Sequence, residues 1–276
     1  MRAASREALA QVRQRIDTML KNAENTVPLA KQTGAELFLA VEQLDQNRPL
    51  RVAVANSAAE SGQRTGIMTE VFQGKVADST LEVLRAAAEC EWSTPREMRS
   101  GLVQLGRHAL LRGAEAEGQL GQVEEELFQL SRILDREGEL TQLLSDRTET
   151  AERRRSLLAN VLYGKVTTVT EALALQVIGR PELNPAEDVK NLAVEAAALT
   201  GRTAAHVKSA AELNEGQRSA LAEKLGRIYG QEMSIHSEVD PSLLGGMIIR
   251  VGDEVIDGST RGKLTRLRAN LATTNY

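Results

Sequence analysis

Aromatic side chains are scarce here: three Phe, three Tyr and one Trp, 3% of 276 residues, in a chain that is 42% hydrophobic. A core so short of rings must be filled by Ala, Leu, Val and Ile, which suits packed helices better than a β-sandwich. Cysteine is nearly absent as well. With Cys90 alone, no intrachain disulfide can form, and a reducing compartment is the simplest inference. No run of about eighteen apolar residues occurs, so no segment reads as a membrane span. The start, Met1 to Glu7, lacks the apolar stretch of a secretory signal. Neither sign of charge dominates: 34 basic against 38 acidic residues give a net charge of −4, with no basic footprint for nucleic acid or an anionic membrane. The three histidines, His108, His206 and His236, show no metal-ligand spacing, so a structural or solvent-facing role is expected for each. Cys90 stands beside Glu91 and Trp92 with no His near it in sequence, which favours an incidental thiol over a reactive one.

What the chain does have is helical periodicity and a repeat. Leu37, Val41 and Leu44, like Leu102 and Leu105, recur at helical spacing. Sliding the sequence by ninety residues brings Glu36-Leu37-Phe38 onto Glu126-Leu127-Phe128, Arg64 onto Arg154, and Gly74-Lys75-Val76 onto Gly164-Lys165-Val166. Gly74 and Gly164 read as helix stops, and Pro95 and Pro185 as helix starts. A phosphate loop at either Gly-Lys pair is excluded. Thr69 and Ala159 stand where its first Gly would be, and Val76 and Val166 replace the magnesium-binding Ser or Thr. Length allows two domains. The expected fold is mostly α: an N-terminal helical bundle with an internal duplication plus a small C-terminal α/β domain. The helical domain covers 1–200, with related units at about 30–102 and 120–192, and the α/β domain covers 203–276.

In the C-terminal part, Ala205 to Lys208 reads as a strand, and Asn214 caps a helix to about Tyr229 that Gly230 closes. Met233, Ile235 and Val239 give a half-buried strand. Asp240-Pro241 predicts a short helix, Met247 to Val251 a central strand, Gly252-Asp253 a hairpin, and Glu254 to Asp257 the return strand. Ser259 caps a last helix carrying Leu264, Leu267 and Leu271. Met247, Ile249 and Val251 are expected to face that helix, and Gly258 is expected at positive φ where strand turns into helix.

The ordered set Asp240, Gly245, Gly246, Met247 to Arg250, Gly252, Asp253, Val255 to Ser259, Arg261 and Gly262 resembles the C-terminal signature of the delta subunit of F-type ATP synthases, the oligomycin sensitivity-conferring protein family. The resemblance is dense over roughly 200–272 and diffuse before it. Delta subunits are usually about ninety residues shorter, and the enlarged form resembles that of actinobacteria. The chain looks free-standing rather than fused to a stalk b subunit.

That resemblance implies a non-catalytic stator subunit with no cofactor, no metal site and no catalytic residue. Its partners would be the N-terminal segment of an α subunit, the b subunit of the peripheral stalk and the catalytic head, on the cytoplasmic face of the plasma membrane. Leu9, Val12 and Ile16 make an apolar stripe suited to a helix-binding groove, with Leu81, Val83, Leu84 or Leu173 and Leu175 as its opposite wall. Gly245, Gly246, Asp257, Gly258 and Ser259 mark the C-terminal partner surface. Two other readings compete: a generic helical adaptor, and an enzyme using Asp253, Glu254 and His236 as acid–base groups.

Overall fold

A computed structural model describes residues 1–266 apart from 147, 200, 202, 253 and 265. Among the described residues, eleven helices precede the first strand: α1 (Ala3–Lys21), α2 (Thr26–Gln46), α3 (Arg48–Val54), α4 (Ser61–Phe72), α5 (Asp78–Glu89), α6 (Pro95–Ala116), α7 (Leu120–Arg136), α8 (Gly138–Ser145), α9 (Ala151–Leu162), α10 (Thr168–Gly179) and α11 (Pro185–Leu199). Then come β1 (Thr203–Ser209), α12 (Glu215–Tyr229), β2 (Met233–Val239), β3 (Met247–Val251) and β4 (Glu254–Asp257). The fold is mostly α with a small C-terminal α/β part. It divides into two units, Met1–Val123 with Glu137–Pro185, and Glu124–Arg136 with Ala186–Tyr276.

In the first unit the helix limits follow from local chemistry. Thr94 caps α6 by accepting from Glu97 N–H at 3.1 Å, and Pro95 opens the helix at no hydrogen-bond cost. Gly74 and Gly164 stop α4 and α9 at φ 74° and 69°. The unit's core joins α1, α2, α5 and α6 through side chains such as Ile16, Leu37, Leu84 and Leu102, all fully buried. α2 and α6 lie close because glycines line their seam. A Cβ on Gly34 would come within 2.9 Å of the Gly106 carbonyl, and one on Gly113 within 3.0 Å of Ala30 Cβ.

The ninety-residue offset recurs in the helix limits: α4 and α9, and α5 and α10, begin and end ninety residues apart. α3 and α8, and α6 and α11, begin ninety apart. Met68 and Leu158 are both fully buried, as are Thr80 and Thr170. Arg64 is buried too, and its guanidinium donates to the carbonyls of Asn56, Ala59, Ala88 and Glu89 at 2.8–3.2 Å. It thereby ties the end of α5 to the loop before α4.

The second unit holds a four-stranded sheet in the order β2-β1-β3-β4. β1 pairs parallel with β2, which requires the α12 crossover, while β1–β3 and β3–β4 are antiparallel. Asn214 and Gln217 form a reciprocal capping box on α12, and Gly230 ends it in the left-handed region. Ala205, Val207, Met233, Ile249 and Val251 point to one face and form a core with Leu213 and Leu225.

Two expectations change here. Asp240-Pro241 starts a turn rather than a helix: the Asp240 carboxylate accepts from Ser242 N–H at 2.9 Å and its carbonyl from Leu243 N–H at 3.1 Å. The face carrying Met247, Ile249 and Val251 packs against α12 residues Leu221 and Leu225, because the crossover helix takes that side. Leu267 and Leu271 lie outside the described residues. Finally, Gly258 is not at positive φ; Gly245 and Gly246 are, at 152° and 81°.

Candidate functional site

Gly245, Gly246, Asp257, Gly258 and Ser259 come together at one corner of the sheet. Gly258 N–H donates to Met247 O, Thr260 N–H to Gly245 O, both at 2.9 Å, and Ala210 N–H to Gly246 O at 3.2 Å. The Asp257 carboxylate accepts from Ser259 N–H at 2.8 Å, which holds its pKa below the usual carboxylate value. Ser259 Oγ accepts from Gly262 N–H at 3.0 Å and starts the helix that begins at Thr260. A Cβ on Gly246 would sit 2.5 Å from the Gly258 carbonyl oxygen, and one on Gly262 would strike the Asp257 carboxylate. Asp253 lies outside the described residues.

The opposite sheet face carries the feature that sequence spacing did not reveal. His206 and His236 are partners in the parallel β1–β2 register, so two residues thirty apart share one spot, with ring centroids at 5.6 Å. Residues 124–136 of α7 lie over them. Phe128 meets His236 at 4.4 Å and His206 at 5.4 Å between centroids. Glu124, one turn before, is 2.8 Å from His236 Nε2 and accepts from Ser234 Oγ, while Glu125 lies 3.8 Å from Nδ1. One turn after, Arg132 reaches Glu238 at 3.4 Å and the Ser237 carbonyl. The stripe Glu124, Phe128, Arg132 therefore has helical spacing and docks on β2 and β1.

The two histidines titrate in opposite directions. Burial works against the charged form of His236, but Glu124 and Glu125 overcome it and raise its pKa; the same contact lowers that of Glu125. Among the described residues His206 has no such partner, and burial beside His236 pushes it down to about 4. His236 is 2% exposed and, with His206, borders the space beside α7. Beside α7 lies a cavity of about 380 Å³ whose lining includes Phe128, Arg132, Lys190, Lys208, Ile248, Arg250 and Val255. No group of three or more His, Cys, Asp or Glu among the described residues could hold a metal ion.

Within the first unit, Leu9, Val12 and Ile16 are 7%, 1% and 0% exposed and belong to the core. Leu81, Val83, Leu84 and Leu173 are buried as well, and Leu175 is half-buried. Outside that stripe, α1 and Glu82 of α5 border an open groove lined by Gln11, Gln14, Arg15, Thr18, Met19 and Asn22. His108 holds α6 to α1 through Asp17 at 2.7 Å, beside Arg112 at 2.8 Å from the same oxygen. Burial keeps His108 below its usual pKa despite Asp17. Cys90 is half-buried, and burial with the Glu89 charge raises its pKa, which leaves a thiol rather than a reactive thiolate.

The family model described as ATP synthase delta (OSCP) subunit matches residues 108–271. Over 272 residues the chain is 68% identical to the ATP synthase subunit delta of Corynebacterium efficiens, covering 99% of both chains. The chain belongs to the ATP synthase delta (OSCP) subunit family. It is likewise 68% identical to the ATP synthase subunit delta of Corynebacterium glutamicum (strain R) and 53% to that of Corynebacterium jeikeium, each over 99% of this chain and all of the other. As a delta (OSCP) family member it is a non-catalytic subunit of the ATP synthase complex, serving ATP synthesis and ion transport. Among the described residues, no helix is long and apolar enough to cross a membrane.

Proposed function

We propose that this subunit is the stator link of a proton-translocating F-type ATP synthase. It joins the catalytic head to the peripheral stalk on the cytoplasmic face of the plasma membrane, so that the head resists the torque of the turning shaft. The observation that carries this reading is identity of 68% along 99% of the chain to a protein named ATP synthase subunit delta. In this reading the helical domain, 1–200, holds the N-terminal segment of an α subunit, and the α/β domain, 203–276, receives the b subunit. The α-subunit segment, an amphipathic helix, settles along the α1–α5 seam, and reaches Leu9, Val12 and Ile16 when α1 moves off α5. Residues 30–102 and 120–192 are copies of one helical unit. The matching helix limits and the start of the family match at residue 108 favour that view.

Calorimetric titration with the N-terminal peptide of the same organism's α subunit tests the reading. Saturation at one peptide per chain is expected, with one seam in use. Two per chain would mean that both copies keep a working site. An absence of heat and of any shift in melting temperature would overturn the α-subunit role.

A further inference from the structure

Among the described residues, only half of the second unit's sheet is covered on its His206 face. Strands lie about 4.8 Å apart and a helix with side chains is about 10 Å wide, so one helix covers about two strands. α7 takes β2 and β1 through Phe128 and Arg132. Over β3 and β4 no described residue covers the same face: Arg250 is exposed, its cross-strand partner Val255 is 50% exposed, and Ile248 is half-exposed. The cavity of about 380 Å³ runs along this open half.

Its charge is distinctive. Arg132, Lys190, Lys208 and Arg250 line it, against Asp135 and Glu238, in a chain whose net charge is −4. Arg132 is already paired with Glu238. Lys208 and Arg250 have no ion-pair partner among the described residues, and both are exposed. The chain's own end is a poor occupant. Residues 258–276 contain Arg261, Lys263, Arg266 and Arg268 but no Asp or Glu side chain, so they share the sign of the groove.

We propose that this groove takes an acidic amphipathic helix of a partner subunit, laid beside α7 across β3 and β4. Its apolar face covers Ile248 and Val255, and its carboxylates meet Lys208 and Arg250. The proposal rests on the stator reading, which makes that partner the end of the b subunit.

Titrating the full-length chain with the soluble part of the same organism's b subunit tests it. Arg250→Glu and Lys208→Glu should each weaken binding at least tenfold. Lys224→Glu, the same charge change on α12, should leave it within twofold. Thermal melting of each variant checks that it is folded. If the parent binds and the two groove variants bind as well as it does, the groove is wrong while the stator reading stands. If the parent itself does not bind, the b-subunit half of the stator reading fails, and this inference with it. A second measurement does not depend on the charge reversals folding. A photo-crosslinking residue in place of Val255 should capture the b subunit in the assembled enzyme; capture of another subunit, or of none, overturns the proposal.

Discussion

At the residue scale, the glycines of the sheet corner act by geometry. Gly246 sits at φ 81° with the Gly258 carbonyl where a Cβ would go, so both backbone strain and overlap oppose any side chain there. Gly246→Ala should cost at least about 2 kcal/mol in urea unfolding. Gly258→Ala, whose Cβ would lie 3.1 Å from the Met247 carbonyl at ordinary φ, should cost less. The reverse order would mean that the corner is held differently. That glycines gather here was legible in the sequence. Which of them carries the positive φ was not, because φ depends on how two strands and a helix start meet.

The histidine pair gives a second residue-scale prediction. His236 is stabilised when protonated, so its contribution is fully present below its ordinary value of 6.5 and is lost as pH rises through its raised folded value. His206 is stabilised when neutral, so its contribution is present above 6.5 and is lost as pH falls towards about 4. Melting temperature from the pair should therefore peak near pH 6.5. His236→Gln should flatten the alkaline side of the profile, and His206→Gln the acid side. A profile unchanged by both variants would refute the assigned environments.

At the scale of elements, helix ends were the most legible feature, because caps and stops are decided by neighbouring residues. Pro95 and Pro185 open α6 and α11, Gly74 and Gly164 end α4 and α9, and Asn214 and Gly230 bound α12. Asp240-Pro241 shows the limit of that reasoning. The same pair can begin a turn or a helix, and here Gly245 and Gly246 return the chain to β3 before a helix can extend. Arg64 is the clearest case of a residue that holds elements together. Arg64→Met should cost at least about 3 kcal/mol in chemical unfolding, since several buried carbonyls would lose their donor at about 1–3 kcal/mol each. A loss below about 1 kcal/mol would show that water replaces the guanidinium.

α7 was the element hardest to foresee. Leu120, Val123, Leu127, Leu130 and Leu134 mark it as a buried helix, and all are at most 4% exposed. Its second stripe, Glu124, Phe128 and Arg132, looks like ordinary surface until the sheet supplies His236, His206 and Glu238. The repeat pointed elsewhere. Phe38, ninety residues before Phe128, packs beside Gly106 of α6 instead. Equal sequence positions therefore serve different neighbours.

At the scale of the whole molecule, the proposed role asks two separate surfaces to hold two partners at once. The α-peptide titration and the Arg250→Glu titration should then be independent. Loss of b-subunit binding through the groove should leave α-peptide affinity within about twofold, as expected for sites that share no partner. Coupled losses would point to a conformational link between the sites.

The sequence alone determined the family, the mostly α class, the strand order along the chain, and the helix ends. All of these rest on local chemistry or on an ordered run of residues. Tertiary structure decided what distance along the chain hides: that α7 docks on the sheet, that α12 covers Met247, Ile249 and Val251, and that two uncharged-looking histidines form one site. Local rules fix how a segment bends, whereas burial and electrostatic pairing are fixed by whichever segments the fold brings to the same face.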